Sequence, residues 1–151
     1  MAWHVEVIAP VGLLIENADR LARAGVPLVI DHYGLYGRAT PESPEGRRLL
    51  ALLALPHVWV KLSDDPLCTR PQRAWLAAFL ACAQDRCVWG SDWPHTPPHE
   101  RHRGGGIPAP HRDLCYETLL DDMPDALGSA ALADRIMWRN PARLYGFSAI
   151  T

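Results

Sequence analysis

The sequence has little lysine and no excess of positive charge. Lys61 is the only lysine among 15 lysine and arginine residues, and the formal net charge at pH 7 is -2. A general nucleic-acid binder needs a basic excess to neutralise phosphates, so we expect no nucleic-acid partner. No apolar run approaches the length that spans a bilayer, so we expect no membrane partner either.

Motifs typical of several other kinds of site are also absent. The four cysteines form no Cys-x-x-Cys pair, which favours reduced thiols in a cytoplasmic protein over disulfides or a zinc site. The first residues lack the basic start and apolar middle of a signal peptide, which indicates the same compartment. No glycine-rich phosphate loop follows the first predicted strand and no His-x-His occurs. Among the loop histidines, His99, His102 and His111 lie near proline and glycine runs that disfavour a rigid metal site.

Strand and helix patterns alternate along the chain. Strands are predicted at residues 3–8, 27–32, 57–63 and 86–91, with amphipathic helices after each of them and further helices towards residue 147. Four such units predict an α/β fold with a parallel sheet. A complete (β/α)8 barrel takes about 250 residues. We therefore predict one partial TIM-type barrel domain over residues 1–151, with about four strand–helix units plus C-terminal helices.

The stretch that organises the chain is an apolar run that ends at an acid. Alternation along the predicted strands places Asp92 on the face of Val88, and His32 on the face of Leu28. If both faces line the barrel interior, an imidazole and a carboxylate lie at the C-terminal strand ends, where the chemistry of such barrels occurs. The pair could bind a metal or act as polariser and general base. From spacing alone, a hydrogen-bonded rim histidine is about equally well supported.

Four further residues are candidates for substrate contact. His95 is held near the end of the fourth strand by the preceding proline, and Tyr33 follows His32. Arg70 lies in a loop after a strand end, where an arginine can clamp a carboxylate. Lys61 near the end of the third strand could bind an anionic substrate or satisfy a structural partner. For Glu6 we expect a salt bridge.

Several motifs together resemble a known family. They are Ile-Asp-His-Tyr-Gly at 30–34, Val-Trp-Val-Lys-Leu-Ser at 58–63, Trp-Gly-Ser-Asp-Trp-Pro-His at 89–95 and Asn-Pro-Ala-Arg-Leu-Tyr-Gly-Phe at 140–147. In this order they resemble the C-terminal half of the amidohydrolase-related (amidohydrolase 2) family of the metal-dependent hydrolase superfamily. The branch most similar in appearance is the 2-pyrone-4,6-dicarboxylate lactonase-like one.

The resemblance implies a distorted barrel that hydrolyses a lactone, ester or amide of a small, carboxylated substrate. Asp92 matches the aspartate that deprotonates the attacking water, and His32 matches the strand-end histidine. In members that use a metal these two residues are ligands. The resemblance therefore implies either no cofactor or one divalent metal, and zinc is the metal expected if one is present. Lactonase-like members work without metal, using arginines and histidines to polarise the carbonyl and hold carboxylates.

Departures from the family pattern support an alternative. The His-x-His strand of the family is missing, and Asp64-Asp65-Pro66 stands where relatives carry a short insertion with an arginine. The alternative is a truncated, catalytically inactive fragment or interaction module of such an enzyme. A half barrel would also leave two sheet edges unpaired, so a second copy of the chain could close the barrel as a homo-oligomer.

Overall fold

A parallel sheet forms the centre of the part of the chain that the computed structural model describes, residues 3–63, 69–95 and 112–147. Within these residues the strands are β1 (Val5–Val7), β2 (Leu28–Ile30), β3 (Val58–Ser63) and β4 (Cys87–Gly90). They pair in sequence order, β1-β2-β3-β4, and every pair is parallel. The predicted α/β class and the four strands are therefore confirmed.

The helices α3 (Pro44–Leu53) and α4 (Arg70–Ala83) begin directly after residues that cap them. α3 follows Ser43, whose Oγ accepts a hydrogen bond from the Gly46 N–H at 3.1 Å. α4 follows Thr69, which caps it in the same way. The single helix expected after β1 is two, α1 (Val11–Glu16) and α2 (Ala18–Ala22), because the backbone leaves helical geometry at Asn17.

The C-terminal part of the chain folds back onto β4. It contains α5 (Tyr116–Asp121), α6 (Met123–Leu127), α7 (Ala130–Asp134), a π-helical turn (Arg135–Arg139) and α8 (Asn140–Tyr145). Asn140 Nδ2 donates to the carbonyl of Cys87 at 2.7 Å, which fixes the start of α8 beside β4. In the described part of the chain, no helix is long and apolar enough to cross a membrane.

The two faces of the sheet have different surroundings. One face packs against the helices through a core that includes Leu28, Ile30 and Phe79. The opposite face carries a smaller apolar cluster of Val29, Trp59, Val88 and Leu144, covered by α8. In the register Lys61 lies opposite Val88, so this second face also carries the charged residues at the strand ends.

This arrangement corrects one prediction. Alternation was expected to bring the face of Leu28 and His32 into the barrel interior, but Leu28 and Ile30 are buried on the helix side. The interior-type face of β2 is that of Val29, and its next member along the strand direction is Asp31 rather than His32.

Candidate active site

A cleft of about 420 Å³ opens at the C-terminal ends of β2, β3 and β4. This is the edge of a parallel sheet at which α/β enzymes place their reacting groups. Charged, hydroxyl and aromatic side chains together with one glycine line it: Asp31, His32, Lys61, Ser63, Trp89, Gly90, Ser91, Asp92, Trp93 and Tyr145.

Asp92 presents its carboxylate between two nitrogen groups. Its Oδ1 lies 3.5 Å from His32 Nε2, and its Oδ2 accepts a hydrogen bond from Arg112 Nη2 at 2.9 Å. The side chain is about a quarter exposed, so the carboxylate can be reached from the cleft. An imidazole and a guanidinium on one carboxylate form an arrangement suited to proton transfer and anion binding.

A tight turn after β4 sets the direction of this carboxylate. Asp92 has φ 59 and His95 has φ 60, values that L-residues seldom adopt. The His95 N–H donates to the Asp92 carbonyl at 2.7 Å, and the His95 carbonyl accepts from the Arg112 N–H at 2.8 Å. The Trp93–Pro94 peptide bond within the turn is cis. The turn thus holds the Asp92 and Arg112 backbones in a fixed relation.

His32 reaches the cleft from a second turn, after β2. Its backbone is left-handed, with φ 48, and the following residues continue in that region as far as Leu35. Asp31 Oδ1 accepts the His32 N–H at 2.8 Å and the Ser63 hydroxyl at 3.2 Å. The buried Asp31 carboxylate therefore ties the turn to the end of β3.

Lys61 lies between two carboxylates. Its Nζ is 2.7 Å from Glu6 Oε2 and 3.5 Å from Asp31 Oδ2. Burial by itself would lower the pKa of Lys61, but Glu6 and Asp31 outweigh it and raise the pKa above its ordinary value. Burial also raises the pKa of the Tyr145 phenol beside them, with Lys61 opposing the shift. The ammonium is thus charged, and the expected salt bridge of Glu6 is present.

The structure brings some of the predicted site residues together and not others. Asp92, His32 and Lys61 line the cleft. His95 is buried beside the cleft in the Asp92 turn, and among the described residues its Nδ1 has no hydrogen-bond partner. Tyr33 lies in the helix-side core, with its ring 6.1 Å from Phe79.

Arg70, the remaining candidate, is exposed at the start of α4 and is not among the residues that line the cleft. The positions of Arg70 and Tyr33 thus leave their predicted contact with substrate without support from the cleft geometry.

The sequence did not identify three residues that lie at the site formed by His32, Lys61 and Asp92. Asp31 was within reach of the same argument, because it stands next to His32 and opposite the face that proved to be the core. Tyr145 arrives from α8 through packing of the C-terminal helices, and Arg112 lies 20 residues after Asp92 in the sequence. Neither contact leaves a local pattern in the sequence.

The described residues do not make up a metal site. His32 and Asp92 are two ligand-type side chains in contact, whereas zinc takes three or four protein ligands. The other nearby carboxylates face Lys61, and Arg112 already places a cation on Asp92. No group of three histidine, cysteine, aspartate or glutamate side chains that could hold a metal occurs in the described ranges. The predictions about His99, His102, His111 and the 64–66 segment fall outside those ranges.

The proteins to which this chain is similar include enzymes named as lactone hydrolases. The 4-sulfomuconolactone hydrolase of Hydrogenophaga intermedia is 33% identical over 151 residues, covering 95% of this chain and 47% of that protein. A solved structure from Pseudomonas putida, provisionally assigned as a 2-pyrone-4,6-dicarboxylic acid hydrolase, superposes with a TM-score of 0.74 at 30% identity. It is matched over 99% of this chain and 54% of its own. The chain thus spans about half the length of the relatives it matches.

A third relative concerns the fold alone. An amidohydrolase of Burkholderia multivorans, solved with bound zinc, has a TM-score of 0.65 at 22% identity, with 97% of this chain and 53% of that chain covered. The structural relatives are TIM-barrel amidohydrolases matched over about half their length, which confirms the prediction of a partial (β/α)8 barrel. The sequence pattern of the Amidohydrolase family matches residues 2–147. With nearly all of its residues matched, the chain belongs to the amidohydrolase family.

Proposed function

We propose that this protein is a hydrolase that opens a lactone or ester of a small, carboxylated molecule, with Asp92 activating the water. The observation that carries the proposal is the Asp92 carboxylate at the strand ends, held between His32 and Arg112 and open to the cleft. Lactone hydrolysis by the 33% identical relative supports the choice of substrate class.

In the proposed reaction, a water molecule attacks the carbonyl carbon of the substrate. Asp92 takes a proton from this water as it attacks. The tetrahedral intermediate collapses, the ring C–O bond breaks, and the departing oxygen receives a proton from the protonated carboxyl group. The products are a hydroxy acid and a regenerated carboxylate. His32, 3.5 Å from Asp92 Oδ1, is close enough to polarise the carbonyl oxygen of a substrate that sits against the carboxylate.

The charge distribution favours Arg112 as the group that holds a substrate carboxylate. Lys61 already faces Glu6 and Asp31, so a third anion at the ammonium would meet two like charges nearby. Arg112 pairs with the Asp92 carboxylate and so lies beside the proposed reaction centre. A guanidinium suits planar carboxylates better than an ammonium does, because its donors form a fork.

The proposal derives no step from a metal. The described residues supply two ligand-type side chains and a guanidinium at Asp92, which do not fit a zinc site by themselves. The family resemblance left two alternatives, no cofactor or one divalent metal, and an experiment can separate them. Hydrolysis measured with and without EDTA separates a metal-dependent from a metal-free reaction.

The function is tested with a panel of carboxylated lactones and Asp92→Asn. Loss of the base is expected to reduce kcat by about 10²- to 10⁴-fold. Asp134→Asn is the matched control, since Asp134 pairs with Arg139 on an exposed surface away from the cleft. Hydrolysis that survives Asp92→Asn at the unaltered rate would refute the role of Asp92, and complete inertness of the unaltered protein would favour an inactive fragment or interaction module.

For the partner we propose a second copy of the chain. In the described residues β1 and β4 each pair on one side only, and Trp3 and Ile8 beside β1 are 86% and 65% exposed. An unpaired strand edge with apolar neighbours is a surface that proteins normally cover. Light scattering coupled to size exclusion is expected to give twice the chain mass, and a well-behaved, thermally cooperative monomer would contradict this.

A further inference from the structure

His32 meets Asp92 although strand alternation points it elsewhere. Leu28 and Ile30 on β2 are buried on the helix side, and a continued strand would send the His32 side chain after them. The backbone instead becomes left-handed at His32, Tyr33 and Leu35, with φ of 48, 55 and 40. Left-handed geometry is costly for L-residues other than glycine, so other contacts must stabilise three such residues.

Asp31 is the residue that contacts this turn from the sheet. It is 6% exposed, and its Oδ1 accepts hydrogen bonds from the His32 N–H and from the Ser63 hydroxyl. Its Oδ2 lies 3.5 Å from Lys61 Nζ. The Asp31 carbonyl accepts from the Gly34 N–H at 2.9 Å, which closes the turn.

The side of the turn away from the cleft is anchored in the core. Tyr33 is 3% exposed and packs against Phe79. Gly34 fits so closely that a Cβ there would come within 3.0 Å of Leu49 Cδ2. Tyr33 and Gly34 thus fix the core side of the turn, while Asp31, which lines the cleft, contacts the His32 N–H.

We propose that Asp31 is a positioning residue that holds the His32 imidazole against Asp92 by stabilising the left-handed turn. Its negative charge matters as well as its shape. If an asparagine turned its oxygen towards the His32 N–H, its NH₂ group would face the Lys61 ammonium. If it turned its oxygen towards Lys61, its NH₂ group would face the His32 N–H. It would therefore lose one of the two contacts that the carboxylate makes together.

The kinetic test is a double-mutant cycle, and it rests on the proposed function. Asp31→Asn is expected to lower kcat for a carboxylated lactone by about 10- to 100-fold, the cost of a small misplacement of a reacting group. In the His32→Gln background the same substitution should lower kcat little further, because Asp31 acts through His32. An equal fall in kcat in the two backgrounds would overturn the proposal. A residue with a merely structural role would lower kcat by the same factor whether or not His32 is present.

An NMR version of the cycle needs no activity and separates the inference from the proposed function. In the unaltered protein, Asp92→Asn should shift the His32 imidazole ¹⁵N signals because the two groups are 3.5 Å apart. In the Asp31→Asn protein, Asp92→Asn should leave those signals in place. Persistence of the shift overturns the positioning role, even if a lactone is hydrolysed. A positive result with no hydrolysis leaves the positioning role intact and refutes the proposed function.

Ser63→Ala provides a second, milder variant if Asp31→Asn does not fold. It removes one of the two hydrogen bonds to Asp31 Oδ1 and leaves the charge in place. A smaller fall in kcat, and a weaker response of the His32 signals to Asp92→Asn, are expected. An unchanged response would contradict the proposal.

Discussion

Replacement of Arg112 by glutamine tests the charge arrangement around Asp92. The substitution removes the hydrogen bond from Nη2 to Asp92 Oδ2, 2.9 Å long, while the backbone bond from the Arg112 N–H to the His95 carbonyl can remain. Two consequences of different size are expected, one for stability and one for binding.

The effect on stability should be small. The Arg112 and Asp92 side chains are 34% and 25% exposed, so water screens their attraction, and exposed pairs of this kind contribute about 0.2–1 kcal/mol. A charge-assisted hydrogen bond to a bound carboxylate contributes about 1.5–3 kcal/mol. Because about 1.4 kcal/mol corresponds to a tenfold change in affinity, the binding of a carboxylated lactone should weaken by about 10- to 100-fold.

The assay compares a carboxylated lactone with its methyl ester. Arg112→Gln should raise KM for the acid by about 10- to 100-fold and change KM for the ester little. Arg112→Lys should lie between, since an ammonium keeps the charge without the fork. Arg139→Gln removes an arginine from an exposed aspartate pair elsewhere and serves as the control. Equal changes in KM for acid and ester would refute the carboxylate-binding role.

Three further outcomes follow from the described contacts. The pKa of Lys61 is raised in the folded state, so its contribution to stability is present below its ordinary value of 10.5 and is lost as the pH rises through the folded value. The melting temperature of Lys61→Met should therefore fall less steeply above about pH 10.5 than that of the unaltered protein. Burial raises the pKa of Cys87 to about 12, so a thiol reagent followed by mass spectrometry should label the exposed Cys115 and reach Cys87 only on unfolding. Gly46→Ala places a Cβ 1.9 Å from the backbone oxygen of Thr40, so it should lower the free energy of unfolding measured with urea by about 1–3 kcal/mol. The control is Gly12→Ala, whose Cβ meets nothing within 4 Å and which should raise that free energy by about 0.4–1 kcal/mol.

The fold followed from local patterns because those patterns have local causes. The strand of residues 27–32 was predicted from its apolar run, and β2 occupies its centre, Leu28–Ile30. The starts of α3 and α4 have local causes too, since the caps at Ser43 and Thr69 need only a side-chain oxygen three residues before an N–H. The breaks at Asn17 and Asp122 were not predicted, because the apolar spacing continues across both. The cytoplasmic location and the single domain over residues 1–151 stay predictions.

The site was less accessible from the sequence because its contacts are made outside regular structure. Alternation holds only while the backbone is extended, and it failed at His32, where φ becomes positive. Asp92 and Arg112 are 20 residues apart in the sequence, a separation at which no periodicity operates. The proposed catalytic role of Asp92 and His32 stays a prediction, to which the structure adds their separation of 3.5 Å.

Lys61, which lines the cleft, and Arg112, which pairs with Asp92 beside it, show why residue type alone does not identify a binding group. Lys61 and Arg112 each face carboxylates near the strand ends, and the sequence pointed to Lys61 because it is the only lysine. The Lys61 side chain is 18% exposed, and its ammonium group pairs with the carboxylates of both Glu6 and Asp31. These two negative charges offset the attraction of the ammonium for a further anion. Arg112 faces a carboxylate that must itself accept a proton if the proposed reaction occurs. We therefore expect a substrate anion to bind beside the reacting group at Arg112 rather than at Lys61, where it would meet the Glu6 and Asp31 carboxylates.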